Sequence, residues 1–134
     1  HLCKPDLSIY NQYDPSFIAW RTNIFKLSRF NNTYMKLSGC FSEMPVALRA
    51  ASVREIFLAL QPYFAIILAT FGPNRIMFGS DWPVCTIDIP DAWNKWRLVV
   101  EMLCSLADLT PQERTMIWSG TAIEAYGIEN VDSS

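Results

Sequence analysis

Phe71-Gly72-Pro73-Asn74-Arg75-Ile76-Met77-Phe78-Gly79-Ser80-Asp81-Trp82-Pro83-Val84 is the stretch that decides the fold. Gly72 and Pro73 stop the helical pattern that runs up to them, because glycine caps a helix end without a Cβ penalty and proline cannot continue one. Arg75 to Gly79 then reads as a short buried strand. Ser80, Asp81, Trp82 and Pro83 fall in the loop beyond its C-terminal end, where parallel α/β proteins build their sites.

Upstream of this stretch, Val53, Ile56, Phe57, Leu60, Phe64, Ile67, Leu68 and Phe71 recur at three- and four-residue steps, which predicts a helix over 51–71. Pro62 is expected to kink or divide it, since it lacks an N–H and crowds the preceding turn. Thr33 to Ser38 alternates, with Tyr34, Lys36 and Ser38 on one side and Met35 and Leu37 on the other, and reads as a second short strand ended by Gly39. Before it, Phe17, Trp20, Ile24 and Leu27 mark a helix over 15–30 that opens on Asp14-Pro15 and closes on Asn31-Asn32.

Downstream, Asp91 stands as N-cap to a helix that carries Trp96, Val99, Val100, Leu103 and Ala107 on one face. Thr110-Pro111-Gln112-Glu113 is a capping-box pattern with proline in the first turn, and its helix continues through Met116 and Ile117 toward Tyr126 and Gly127. The tail Glu129 to Ser134 is polar and expected to fray.

Strands that alternate with helices imply parallel pairing through helical crossovers, an α/β architecture. Only two strands and a stub at His1 are legible, and a parallel sheet needs more neighbours and cover on both faces. Residues 1–134 therefore read as one piece of a single larger domain. No internal repeat or Gly/Ser-rich linker divides them.

Composition narrows the classes of function. Thirteen acidic and 11 basic side chains give a net charge of -2, with no basic run for nucleic acid or anionic lipid. The longest strictly apolar run, Tyr63 to Ala69, is far below the roughly 20 residues of a membrane-spanning helix, so no membrane partner is expected. The first residue is His1 and no signal-peptide pattern follows it; the true N-terminus is expected further upstream. Cys3, Cys40, Cys85 and Cys104 form no C-x-x-C pair, which argues against a zinc ribbon or disulfide framework and for a reducing, cytoplasmic setting. They are expected to be small buried hydrophobes.

Four side chains are candidates for chemistry. In a parallel barrel alternate side chains point inward; if Ile76 and Phe78 face the helices, then Met77, Gly79 and Asp81 face the interior, with Asp81 at the mouth. A short acid there can bind a divalent cation, orient a water or accept its proton. It can equally cap the following turn through an Asx hydrogen bond. His1, the only histidine, fits a proton shuttle or metal ligand, or a structural role, since a catalytic metal takes about three protein ligands. Lys36, if inward, must find a carboxylate in the interior or contact substrate. Trp82 either walls a pocket or packs beneath the loop.

The 71–84 string is very similar to the eighth-strand signature of amidohydrolase-related proteins. Met35-Lys36-Leu37-Ser38-Gly39 resembles that family's seventh strand. His1-Leu2-Cys3-Lys4-Pro5 resembles its Asp-His-x-x-Lys-Pro segment at the sixth, without the Asp, and Ser119 to Gly127 resembles its closing helix. The wording lies nearest to the family's sugar-lactone lactonases, of the L-rhamnono- and L-fucono-lactonase kind. The resemblance implies the C-terminal part of a (β/α)8 TIM barrel, from the end of strand six through strand eight and the closing helices, incomplete as it stands.

By the same resemblance Asp81 is the acid that activates water or meets a metal, and His1 faces substrate or moves a proton. Trp82 and Lys36 are candidate substrate contacts, and one zinc-like divalent ion is a candidate cofactor. The implied reaction is hydrolysis of a small sugar lactone. Amide hydrolysis or decarboxylation, which the superfamily also performs, is the alternative, as is an inactive barrel remnant. The family's first-strand His-x-His is absent from these residues, so this chain alone is expected to be inactive. A Rossmann-type domain is set aside because no G-x-G-x-x-G follows either strand.

Overall fold

The computed structural model describes residues 1–9 and 11–128; the tail Glu129 to Ser134 lies outside the described residues. Two strands, β1 (Met35–Leu37) and β2 (Ile76–Phe78), form a parallel pair in the register Met35↔Ile76, Lys36↔Met77 and Leu37↔Phe78. Both are shorter than expected. The pairing nevertheless continues one step further, since the Gly79 N–H donates to the Leu37 carbonyl at 3.2 Å.

Side chains of one parity, Met35, Leu37 and Ile76, are buried in the main core. The other parity carries Lys36 and Met77, followed by Ser38 and Gly79 at the strand ends. The expected phase of β2 therefore holds: Ile76 and Phe78 face the helices, with Phe78 4.4 Å from the ring of Trp118 between centroids.

The helices are α1 (Pro15–Ser28), α2 (Cys40–Glu43), α3 (Val46–Ala50), α4 (Val53–Phe71), α5 (Ala92–Leu106), α6 (Pro111–Thr115) and α7 (Thr121–Tyr126), with a π-helical turn at Met116–Gly120 between the last two. α4 connects β1 to β2 and packs against α1 and α5. Its face of Ile56, Leu60, Tyr63, Phe64, Ile67 and Phe71 is buried, and burial of such side chains contributes roughly 1.5–3 kcal/mol each.

Several expectations need correction. Pro62 does not divide α4, which is helical throughout; the Leu58 carbonyl, which loses its donor to Pro62, lies in a turn where Leu58 is exposed and water can replace the bond. Leu27 is exposed and Ser28 takes its place on the buried side of α1, because Ser28 continues the i, i+4 stripe from Ile24 and bonds its hydroxyl to the Phe25 carbonyl. Asp91 sits before α5 in the left-handed region and makes no side-chain cap; its carboxylate accepts from the Asn94 amide instead. α2 and α3, too short to show a period, have no forecast in the sequence.

The Thr110–Glu113 capping box is present, and a second one, Ser52–Glu55, opens α4. By length and mean hydropathy (1.4) α4 is apolar enough to cross a membrane. A core helix passes the same test, and α4 is one, its buried face packed against α1 and α5. Three cysteines are buried as expected, whereas Cys3 is exposed.

Arg75 ties the lower ends of the helices together just before β2. Its guanidinium donates to the carbonyls of Ser28 at the end of α1 and Phe30 just beyond it, and to those of Thr70 and Phe71 at the end of α4. Cationic donors suit the unpaired carbonyls of helix C-termini.

Candidate active site

His1 is fixed by the backbone on either side of it. The Leu2 N–H donates to the Lys36 carbonyl at 3.1 Å, so the stub lies along the edge of β1 away from β2. The Trp20 indole of α1 donates to the Leu2 carbonyl at 2.9 Å. Leu2, Cys3 and Lys4 then turn sharply with φ of 51°, 55° and 50°, and Lys4 pairs with Glu43 of α2 at 3.2 Å.

Held in this way, the imidazole crosses the C-terminal end of β1. Its Nδ1 meets the Ser38 hydroxyl at 2.8 Å, and its Nε2 lies 3.3 Å from Asp81 Oδ1. His1 and Asp81, the two residues put forward as catalytic, are thus adjacent.

Asp81 stands in the left-handed region at φ 61°, a conformation that aspartate enters more readily than most residues and that Asp88, Asp91 and Asp108 share. The Asx-turn reading does not fit the geometry. It is Ser80 Oγ that accepts from the Trp82 N–H at 3.2 Å, while the Asp81 main-chain carbonyl accepts from the Cys85 N–H at 2.9 Å. Among the described residues, the Asp81 carboxylate has His1 as its close polar partner. Its side chain is 14% exposed, accessible to a small molecule but screened from bulk water on most sides.

Lys36 lies on the expected inward face and is exposed, with no carboxylate partner among the described residues. With two strands and a stub beside it, that face is open to solvent. The Lys36 side chain runs past Gly79, where an added Cβ would come within 3.5 Å of Cε. Trp82 does not pack beneath its loop; it is 72% exposed, next to the exposed Val84 and Ile87. The concavity between Val46, Arg49, Asp88, Ile89 and Lys95, about 480 Å³, includes none of the four candidates.

Ser38, Gly39 and Gly79 were not singled out by sequence, although each shapes the site. A Cβ on Gly39 (φ +68°) would overlap the His1 ring, and one on Gly79 would lie 2.9 Å from Ser38 Cβ. The available signal was weak: a serine ending the inward face of an apolar strand, followed by a glycine.

An imidazole nitrogen and a carboxylate oxygen suit a borderline divalent ion such as zinc. Their 3.3 Å separation is about the edge of a tetrahedron with bonds of ~2.0–2.1 Å. Among the described residues no group of three or more His, Cys, Asp or Glu could hold a metal. The pair fits part of such a donor set, and further ligands would come from outside these residues.

Parallel strands, helical crossovers and polar side chains gathered at the strands' C-terminal ends define an α/β protein whose site lies where barrel and doubly wound enzymes place theirs. The chain belongs to the amidohydrolase family, whose model matches residues 1–128. It is 33% identical over 130 residues to an L-fucono-1,5-lactonase of Burkholderia multivorans, covering 96% of this chain and 42% of that protein. It is 34% identical over 136 residues to an L-rhamnono-gamma-lactonase of Scheffersomyces stipitis, with shares of 96% and 39%.

Among solved structures it is similar to an amidohydrolase from Burkholderia multivorans at 29% identity, covering 96% of this chain and 43% of that one. The TM-score is 0.83 to the form with bound HEPES and 0.80 to the form with bound zinc. The chain thus spans about two fifths of the length of the relatives it matches.

Proposed function

We propose that the protein containing this chain hydrolyses a small sugar-acid lactone, and that the chain supplies the end of strand six, strand seven (β1), strand eight (β2) and the closing helices of a (β/α)8 barrel. The observation that carries this reading is the 3.3 Å approach of His1 Nε2 to Asp81 Oδ1 at the C-terminal ends of parallel strands. The naming of two curated relatives as sugar lactonases supports the choice of substrate.

In this mechanism Asp81 orients a water and draws its proton as the oxygen attacks the lactone carbonyl. The tetrahedral oxyanion collapses, the ring C–O bond breaks, and the proton passes through the His1–Asp81 pair to the departing ring oxygen, which leaves as a hydroxyl. Lys36, exposed on the inward face, offers a cation to the oxyanion or to substrate hydroxyls. The exposed Trp82 ring offers an apolar wall for the sugar. His1 and Asp81 would hold a zinc-like ion, which when bound supplies Lewis acidity and a more acidic water; a bound zinc in the similar amidohydrolase supports that part of the proposal. The four free cysteines support a reducing, cytoplasmic setting.

The test is proton release from L-fucono-1,5-lactone and L-rhamnono-γ-lactone by the intact protein and its Asp81→Asn variant. Hydrolysis by the parent and its loss in a folded variant are expected. A parent inactive on both lactones overturns the reading and favours amide hydrolysis or decarboxylation.

A further inference from the structure

We propose that Ser38 is a positioning residue for the reaction: its hydroxyl holds the Nδ1 side of the His1 ring so that Nε2 is the nitrogen turned to Asp81 and substrate. The inference rests on the proposed function above for its kinetic consequence, but its geometric content stands apart from the substrate.

Ser38 is 1% exposed, a buried hydroxyl that must find a partner. Its Oγ is 2.8 Å from His1 Nδ1. A hydroxyl both donates and accepts, so Ser38 can serve the ring through a catalytic cycle. The hydroxyl can donate to a bare Nδ1 or accept from Nδ1–H, and in either case Nε2 stays turned to Asp81. Partners of this kind fix the tautomer and orientation of working histidines.

The surroundings are shaped for the same contact. Gly39 leaves the space into which the His1 ring fits, and Gly79 leaves space beside Ser38 Cβ. Side chains at either position would push the serine and the ring apart. Register explains how the pieces meet, since Gly79 follows the Leu37↔Phe78 pair and so stands beside Ser38.

The experiment, in the intact protein, combines the ring ¹⁵N signals of His1, assigned by their loss in His1→Asn, with lactone kinetics of Ser38→Ala and Ser38→Thr. The parent is expected to show one dominant tautomer, with widely separated ring ¹⁵N shifts that converge in Ser38→Ala. In that variant kcat should fall about 10–100-fold with KM unchanged. Ser38→Thr, which keeps the hydroxyl, should restore both the spectrum and kcat. Parental ring shifts and kcat in Ser38→Ala overturn the proposal. So does an equal loss in both variants, which would mark a packing role. A parent that hydrolyses no lactone overturns the proposed function instead, and the ring spectrum alone then decides the role of Ser38.

Discussion

His1 Nε2 lies 3.3 Å from Asp81 Oδ1, and the two side chains meet across the end of β1, which separates the segments that carry them. The pair therefore depends on β1 and on whatever holds the ring above it. Gly39 is the most sensitive of these dependencies. Gly39→Ala places a Cβ in the ring's space at φ +68°, with a backbone cost of roughly 1–2 kcal/mol. Urea unfolding should show that loss, and the His1 ring signals should move because the imidazole is displaced from Ser38. Unmoved ring signals would mean that the glycine serves the turn alone.

Arg75 gives a contrasting prediction, of stability without chemistry. Its guanidinium serves carbonyls of Ser28, Phe30, Thr70 and Phe71, on the far side of β2 from Asp81. Arg75→Ala should cost about 1.5–3 kcal/mol, the scale of hydrogen bonds to a charged group, measured by denaturant unfolding. The His1 ring spectrum should stay as in the parent.

The thiols separate cleanly by burial. Cys3 is exposed whereas Cys40, Cys85 and Cys104 are buried, and burial pushes the Cys104 thiol up to about 11 and that of Cys40 higher still. A disulfide reagent at neutral pH should label one thiol quickly and the other three only on unfolding. Because the folded-state values are raised, the stability that neutral thiols contribute is complete below about pH 9, the ordinary thiol value. It is lost as pH rises toward 11, so the thermal midpoint should fall across that window. Rapid labelling of all four thiols would contradict the packing described.

Much of this was legible in the sequence because it is local. The Gly72-Pro73 stop, the Thr110–Glu113 capping box and the alternation that sends Met35 and Leu37 one way and Lys36 the other are each set within a few residues. The period of two also tied Met77, Gly79 and Asp81 to one face of β2, conditional on Ile76 and Phe78 facing the helices. What the sequence withheld is what register creates. The contact of Ser38 with His1 and the place of Gly79 beside Ser38 exist only once the stub, β1 and β2 are aligned. Lys36 shows the converse: its face was predicted, but its exposure depends on which strands stand opposite.

The central claim is that His1 and Asp81 act as one unit, and a double-mutant cycle on lactone hydrolysis tests it most directly. His1→Asn and Asp81→Asn should each lower kcat, by about 10²–10⁴-fold. The double variant should be no slower than the slower single, as for residues that serve one proton path. Losses that multiply in the double variant, or an Asp81→Asn protein as active as its parent, would contradict it.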